Sequence, residues 1–201
     1  MAFPKYKLVG ALVLAGATLS PGNAVAPAQT APLIACLPPE PQPPVAARGL
    51  DATQQALVEH LARRFQIAEG PTERIVEAAY RAAAGVGLDP LLVLAVISIE
   101  SRFNPIAESG MGARGLMQII PKYHREKLAE HGGDEAVLDP ESNILVGAQI
   151  LREYVRRTGS LEAGLQFYNG AAWDDSARYT QKVLAERQRL AQVAQPARPG
   201  T

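Results

Sequence analysis

The sequence predicts a mainly α-helical domain, and three patterns lead to that prediction. Between residues 50 and 195, apolar residues recur every three or four positions, which is the spacing of one helix face. Aspartate or serine precedes several of these stretches, and glycine follows them. With 201 residues and 47% hydrophobic content, the chain can bury one sizeable core. We therefore expect one helical domain with additional termini.

Residues 1–30 have the layout of a secretory signal peptide. Two lysines precede an apolar run over residues 8–19, and small residues follow it, with Ala24 and Ala28 as alternative cleavage positions. The apolar run is too short for a membrane anchor. The expected location of the mature protein is therefore the periplasm.

Residues 31–49 are rich in proline and are expected to form an extended linker. Within them, residues 33–36 resemble a bacterial lipobox, which would make Cys36 a lipidated first residue after processing. The alternative is a free thiol in a flexible arm. Cys36 is the single cysteine of the chain, so no internal disulfide can form. Residues 196–201 are expected to be a disordered tail.

The domain begins with two predicted helices that pack around a central one. Asp51 is a candidate cap for the first helix, and Pro71 is expected to open the second. Gly85 and Gly87 are expected to end the second helix. We expect a structural role for both helices.

The central helix is the most strongly marked. Asp89 and Pro90 indicate its start, and Asn104 with Pro105 is expected to mark its end. Apolar side chains cover nearly every side of it, which is typical of a helix buried in a core. About ten apolar residues are too few to span a membrane, which takes roughly 20. The apolar stretch ends on Glu100.

The stretch after this helix contains Gly110, Gly112 and Gly115, which permit turns and close approach of backbones. We expect a short hairpin or irregular loop there, over the end of the central helix. Later helices are predicted from Pro121 to about Glu130 and from Asp139-Pro140 to before Gly159, the second with Tyr154 on its apolar face. Two more are predicted from Leu161 to Tyr168, with Ser160 as cap, and from about Ser176 into the 180s.

Charge and composition argue against several kinds of ligand. Twenty basic and twenty acidic residues give a formal net charge of +0, so nucleic acid is not expected as the main partner. The three histidines lie far apart in the sequence, and none forms a local metal motif. We therefore expect neither a metal nor another cofactor.

Glu100 is the candidate catalytic residue. Burial at the edge of a core disfavours the charged form of a carboxyl and raises its pKa above the ordinary value of about 4.3. A carboxyl that keeps its proton near neutral pH can act as a general acid. The alternative is a solvated glutamate at a helix end, paired with Arg102 or Arg114.

The residues around Glu100 resemble, in order and spacing, the signature of the lytic transglycosylases of the soluble, SLT-domain type. The matching segments are Glu100-Ser101-x-Phe103-Asn104-Pro105, Ser109, Gly112-Ala113-x-Gly115-Leu116-Met117-Gln118-Ile119, Asn143-Ile144-x-x-Gly147, Phe167-Tyr168-Asn169-Gly170 and Tyr179-x-x-x-Val183. The resemblance covers roughly residues 75–190. It implies that residues 50–195 form a lysozyme-like helical domain of the goose type, with the irregular loop beside an active-site cleft.

The resemblance also implies an activity, which is cleavage of the β-1,4 bond between N-acetylmuramic acid and N-acetylglucosamine in peptidoglycan. Glu100 would protonate the glycosidic oxygen and then, as a carboxylate, take a proton from the 6-hydroxyl of the same sugar. The product would carry a 1,6-anhydro end. Glycosidases often use two carboxylates, but here the 2-acetamido group of the sugar would stabilise the cation.

Six further residues are implied to contact the substrate: Ser109, Met117, Gln118, Tyr168, Asn169 and Tyr179. Ser109 is expected near Glu100 and the reacting sugar, with turn capping as the alternative. The Gln118 amide is expected to bind polar groups of a sugar. Tyr168 is expected to pack its ring against sugar and to orient Glu100 with its hydroxyl, or else to be a core aromatic.

Structural roles are the main alternatives for the remaining positions. Met117 is expected in the core or the cleft wall, and Asn169 and Asn143 are expected to tie turns by amide hydrogen bonds. Tyr179 lines the cleft or packs the last helix. The sequence departs from the family pattern near residue 170. Trp173, in the same loop, is expected either to stack on a sugar or to pack internally. Residues 122–136 have no assigned role.

Two other functions remain open. A goose-type lysozyme-like hydrolase would use water in place of the 6-hydroxyl, and a second aspartate at the cleft would favour it. A non-catalytic glycan-binding wall protein would not require the acid. As partners we expect peptidoglycan strands and a protein of the wall or of a secretion machinery, and we expect the protein to be a monomer.

Overall fold

The computed structural model describes residues 50–170 and 176–195. The signal peptide, the proline-rich linker and Cys36 lie outside the described residues, as does the tail from residue 196 onward. Trp173 and the aspartates beside it also lie outside them. The described residues therefore belong to the predicted catalytic domain.

The described residues form seven α-helices. They are α1 (Ala52–Phe65), α2 (Glu69–Val86), α3 (Pro90–Glu100), α4 (Arg125–Ala129), α5 (Pro140–Thr158), α6 (Leu161–Tyr168) and α7 (Arg178–Val193). Short 3-10 turns at Pro121–Tyr123 and Gly133–Leu138 flank α4. Within the described ranges, extended pairing is limited to isolated bridges in the loop after α3. The mainly helical class is confirmed.

Four helix starts are capped by the side chains that the sequence indicated. Asp51 and Gln54 form a reciprocal capping box on α1. Asp89 accepts a hydrogen bond from the backbone N–H of Leu91, and Asp139 accepts one from that of Ser142. The Ser160 hydroxyl caps α6 in the same manner. Each such cap typically stabilises a helix by about 1 kcal/mol.

The boundaries of α2 differ from the prediction. The helix begins at Glu69, before Pro71, because a proline in the first turn has no N–H to pair and does not block the helix. Gly85 lies inside α2, and Gly87 ends it in the left-handed conformation, with φ of 69°. The prediction that Gly85 ends the helix was wrong.

The central helix ends on Glu100, where the apolar stretch was expected to end, and not at Asn104 and Pro105, which were expected to mark its end. Arg102 and Phe103 have φ of 54° and 64°, which no right-handed helix can continue. The chain therefore leaves α3 at Glu100, four residues before Asn104. This early break places the carboxyl at the end of the helix.

Two later elements also differ from the prediction. The predicted helix from Pro121 is divided at His124, whose φ of −133° lies outside the helical region. The last helix begins at Arg178 and continues to Val193. Neither difference moves the elements that carry Glu100.

The core is built around α3, which packs against α2 and α7. Its residues from Leu92 to Ile97 are almost completely buried. Phe65 and Phe103 stack beside it with ring centroids 5.1 Å apart. None of the helices in the described ranges is long and apolar enough to cross a membrane.

Ion pairs fix α7 against its neighbours. Arg187 Nε lies 2.5 Å from Asp89 Oδ2, so α7 holds the residue that caps the start of α3. Glu186, also on α7, is fully buried and pairs with Arg64 of α1. These pairs set the position of α7 along α3, which determines where the first turn of α7 meets the other end of α3.

Candidate active site

Glu100 lies half-buried at the last position of α3. Burial raises its pKa, and a hydrogen bond from Tyr179 partly opposes this shift. The Tyr179 hydroxyl donates to Glu100 Oε1 at 2.6 Å. Arg114 pairs with Glu108 at 3.0 Å, so the alternative of a Glu100–Arg114 pair is not observed. Glu100 is thus a carboxyl favoured in its protonated form and held in one orientation.

Tyr179 and Tyr168 have different roles from those expected. Burial, and then the charge of Glu100, raise the pKa of Tyr179 well above its usual range, so its hydroxyl stays protonated and donates. The Tyr168 hydroxyl donates instead to the backbone oxygen of Met117, at 2.8 Å. The prediction that Tyr168 orients the acid was wrong, because its proton is already used there. Tyr179 holds Glu100.

The loop between α3 and α4 is anchored on α5 by one buried amide. Asn143 Oδ1 accepts from the N–H of Met117 at 2.8 Å, while Nδ2 donates to the backbone oxygens of Arg114 and Val137 at 3.1 and 2.8 Å. Gly115 makes this approach possible, since a Cβ there would lie 2.3 Å from Asn143 Nδ2. The structural role expected for Asn143 is confirmed.

Ser109 caps a turn within this loop. Its Oγ accepts from the N–H of Ala113 at 3.1 Å, and its own N–H donates to the Ala113 carbonyl at 2.9 Å. This is the turn-capping alternative. The hydroxyl proton is not needed for these bonds, so Ser109 keeps a donor for a ligand.

Gln118 is partly committed to the loop. Its Nε2 donates to the backbone oxygens of Ala107 and Gly115, at 3.1 and 3.0 Å. Because both partners are acceptors, the amide nitrogen must face them, and Oε1 remains available to accept from a ligand. Gln118 itself has φ of 49°, a conformation imposed by this turn.

Met117 is fully buried against α5. A Cβ at position 147 would lie 2.5 Å from its sulfur, so Gly147 makes room for it. The side chain of Met117 therefore has the core position that was one of the two expected for it, and it supports the loop from behind. Its backbone carbonyl holds Tyr168.

A hollow of about 210 Å³ opens beside the loop and is partly aromatic. It brings Gln118, Tyr168 and the exposed Asn169 together. The charge of Glu100 contributes to the raised pKa of Tyr168, so this tyrosine of the hollow lies near the acid. Ser109 and Tyr179 lie outside the hollow lining. Of the predicted site residues, Gln118, Tyr168 and Asn169 thus share the hollow, whereas Tyr179 contacts Glu100.

Sequence reasoning missed several aromatic residues of this hollow. Tyr123 and His124 belong to the segment without an assigned role, and Tyr154 and Phe167 were seen only as packing or motif positions. Tyr154 and Phe167 meet edge to face with centroids 4.7 Å apart. Tyr123 is 67% exposed, so its ring is open to a ligand. The available signal was the pair Tyr123 and His124, which follows Pro121 and Lys122 in the sequence.

Within residues 50–170 and 176–195, no three His, Cys, Asp or Glu side chains are arranged so that they could hold a metal ion. The Glu100 carboxyl can transfer a proton, and the Tyr179 hydroxyl donates a hydrogen bond to it.

Comparison with known proteins places this arrangement in a family. Residues 77–187, which are more than half of the chain, match the family Transglycosylase SLT domain. The transglycosylase of Enterobacteria phage PRD1 is 42% identical over 108 residues, which cover 51% of this chain and 39% of the phage protein.

Two bacterial relatives match as well. The endo-type membrane-bound lytic murein transglycosylase A of Klebsiella pneumoniae is 39% identical over 77 residues, covering 35% of this chain and 38% of that protein. The membrane-bound lytic murein transglycosylase C of Photorhabdus laumondii is 28% identical over 134 residues, covering 60% and 36%. The matched segments thus span less than two fifths of each relative.

Among solved structures, an inactive mutant of the lytic transglycosylase Slt from Pseudomonas aeruginosa has a similar fold. The TM-score between the two structures is 0.53, and the sequences are 22% identical. The match covers 58% of this chain and 24% of the Slt chain. The likeness supports the lysozyme-like fold. The match of the family model over residues 77–187 leads to one conclusion: the chain belongs to the Transglycosylase SLT domain family.

Proposed function

We propose that this protein is a peptidoglycan lytic transglycosylase that cleaves the bond between N-acetylmuramic acid and N-acetylglucosamine, with Glu100 as its catalytic residue. The observation that carries the proposal is the Glu100 carboxyl, which is half-buried, has a raised pKa and is held by Tyr179. The relatives that are named lytic murein transglycosylases support the same substrate class.

In the first step Glu100 acts as a general acid. Its raised pKa keeps a larger share of the carboxyl protonated near neutral pH than an ordinary glutamate would have. Tyr179 donates to Oε1, so the acidic proton resides on Oε2. Oε2 therefore delivers the proton to the glycosidic oxygen as the bond to the anomeric carbon breaks.

In the second step the same group acts as a base. The pKa of Glu100 is shifted by burial and by Tyr179, and no described carboxylate is among the causes of the shift. The 2-acetamido group of the substrate then stabilises the cation, and the 6-hydroxyl attacks the anomeric carbon. Glu100 takes the hydroxyl proton, which restores the acid and leaves a 1,6-anhydro ring.

The aromatic hollow is suited to hold the glycan strand. The rings of Tyr123 and Phe167 offer apolar faces of the size of a sugar ring. Gln118 Oε1 accepts from sugar hydroxyl or acetamido N–H groups, and Asn169 offers an exposed amide. Ser109 supplies a further donor near the loop.

Mass spectrometry of the soluble products released from purified peptidoglycan tests the proposed function. Fragments that end in 1,6-anhydro-N-acetylmuramic acid are expected. Reducing ends would instead identify a goose-type lysozyme-like hydrolase, in which water attacks. Binding without any released fragment would identify a non-catalytic wall protein.

Tyr179→Phe tests how the acid is controlled. The Tyr179 hydrogen bond lowers the pKa of Glu100, so its removal should raise that pKa further. Because the general acid works only when protonated, the alkaline decline of kcat/KM should move to higher pH. The maximal rate should fall about tenfold, since the carboxyl is no longer held in place.

Tyr80→Phe is the matched control for that variant. Tyr80 is a half-buried tyrosine on α2, near Asp51 and Asp89 at the far end of α3. Its pH profile should match that of the unmodified protein. A Tyr179→Phe profile that keeps its alkaline limb in place would contradict the assigned role of Tyr179.

The cellular setting is proposed from residues 1–30 and from the relatives. Export by the signal peptide would bring the enzyme to its substrate in the periplasm, and Cys36 offers a route to lipid anchoring. Two of the relatives are named membrane-bound. We further propose a monomer that meets the wall or a secretion machinery through its proline-rich linker.

A further inference from the structure

A second groove lies between α1, α3 and α7 and begins beside the proposed acid. It holds about 360 Å³ and is lined by Ile99, the residue directly before Glu100, together with side chains of α7 and Arg64 of α1. Its α7 wall includes Arg178 and Lys182, which flank Tyr179. The groove therefore reaches the end of α3 at which Glu100 lies.

This groove is strongly cationic. Arg64, Arg178, Lys182 and Arg189 line it, against one carboxylate, Glu186. Glu186 is fully buried, and its two oxygens accept from Arg64 and from Arg189. Glu186, the one carboxylate among the described residues of the lining, is therefore already neutralised and repels an incoming anion little.

Arg178 and Lys182 are the cations left available. Both are exposed, and neither forms an ion pair with any of the described residues. They are four positions apart on α7, so their side chains lie on the same face, about one turn of 5.4 Å apart. Tyr179, which bonds to Glu100, lies in the same turn. An anion held by this pair would thus be close to the reacting sugar.

We propose that this groove binds the carboxylates of the peptide stem that peptidoglycan carries on its N-acetylmuramic acid, an inference that rests on the proposed function. The stem is attached to the same sugar whose glycosidic bond is placed at Glu100, so the stem begins only a few bonds from the bond that is cleaved. Its free carboxylates complement Arg178 and Lys182. Ile99 supplies an apolar surface for the methyl groups of its alanines.

The test compares two substrates. One is intact peptidoglycan, and the other is the same material after an amidase has removed the stems. The double variant R178Q/K182Q should lose about fivefold in kcat/KM on the intact substrate, since each exposed charge contributes little by itself. It should keep the unmodified rate on the stem-free strands. R178K/K182R, which retains both charges, should behave as the unmodified protein does on both substrates.

R152Q/R156Q is the matched control. These two arginines are also exposed and four positions apart, but they lie on α5 and line a different depression. Their removal should leave both rates unchanged. An equal loss in both double variants would show a general charge effect and would overturn the inference.

The remaining outcomes separate this inference from the proposed function. The stem site alone is overturned if R178Q/K182Q loses the same factor in kcat/KM on intact and on stem-free strands. It is also overturned if the variant loses none on either substrate. An unmodified protein that releases nothing from either substrate overturns the proposed function. Binding of a free stem tetrapeptide can be measured without catalysis. The affinity should fall with added salt, in the variant R178Q/K182Q, and when the carboxylates of the peptide are amidated. Equal affinity under all of these conditions overturns the proposed stem site.

Discussion

Glu100→Gln should abolish the release of soluble fragments from purified peptidoglycan while the protein stays folded. Glutamine has nearly the same shape as glutamate but carries no proton that it can transfer. Loss of general acid catalysis typically costs about 10²- to 10⁴-fold in rate. Because the same group is proposed to act first as acid and then as base, we expect the upper end of that range. The rate of product release, measured by chromatography, checks this.

The same variant should be more stable than the unmodified protein at neutral pH. Burial raises the pKa of Glu100 in the folded state. The folded protein thus binds this proton more tightly than the unfolded chain does. The stability that this proton contributes to the fold is fully present below the ordinary glutamate pKa of about 4.3, and it is lost as the pH rises through the raised pKa of the folded state. Glutamine does not ionise, and its Oε1 can still accept from Tyr179. Its advantage in Tm should shrink as the pH falls below about 4.

Glu108→Gln is the matched control for the loss of activity. Glu108 is an exposed glutamate on the loop that follows α3, where it pairs with Arg114. Exposed pairs of this kind contribute about 0–1 kcal/mol, so the variant should keep its activity and its fold. Full activity in Glu100→Gln, or a collapse in Glu108→Gln, would show that the proposed acid is the wrong one.

Local signals in the sequence were sufficient to predict the helical framework. Asp51, Asp89, Asp139 and Ser160 each cap the helix that was expected to follow them. A cap acts within three or four residues, so its effect can be read without knowledge of the tertiary structure. The all-round apolar character of α3 likewise indicated a buried helix, and α3 is the centre of the core.

The loop after α3 could not be predicted in the same way. Arg102, Phe103 and Gln118 take positive φ, although neither arginine nor phenylalanine favours that region. Tertiary contacts hold them there: Phe103 stacks on Phe65, and Gln118 bonds to two backbone carbonyls. Local propensity gives no sign of such contacts, so the helix end was placed too late.

The assignment of the two tyrosines failed for a related reason. Both positions match the family motif, but the motif does not show where each hydroxyl points. The Tyr168 hydroxyl meets the Met117 carbonyl because the loop presents that carbonyl toward α6. The position of Tyr179 depends on α7, which ion pairs to Asp89 and Arg64 hold in place. These long-range pairs are not visible in a single sequence.

Asn143→Ala should destabilise the fold by about 3–5 kcal/mol, a large fraction of the stability of an ordinary domain. The truncation leaves the Met117 N–H and the backbone oxygens of Arg114 and Val137 without their partner, and each unpaired buried group costs about 1–3 kcal/mol. Activity should fall as well, because the released loop carries Gln118 and the carbonyl that holds Tyr168. Denaturant unfolding followed by circular dichroism measures the change.

Asn104→Ala provides the contrast that tests this reasoning. Asn104 is exposed in the same loop, and its side-chain oxygen accepts one hydrogen bond, from the N–H of Ile106 at 3.1 Å. Water can replace that bond, so the variant should lose about 0.5–1 kcal/mol. If the two alanine variants unfold at similar denaturant concentrations, the Asn143 amide does not anchor the loop on α5. If Asn143→Ala alone unfolds early and loses activity, the position of the loop depends on that one buried amide.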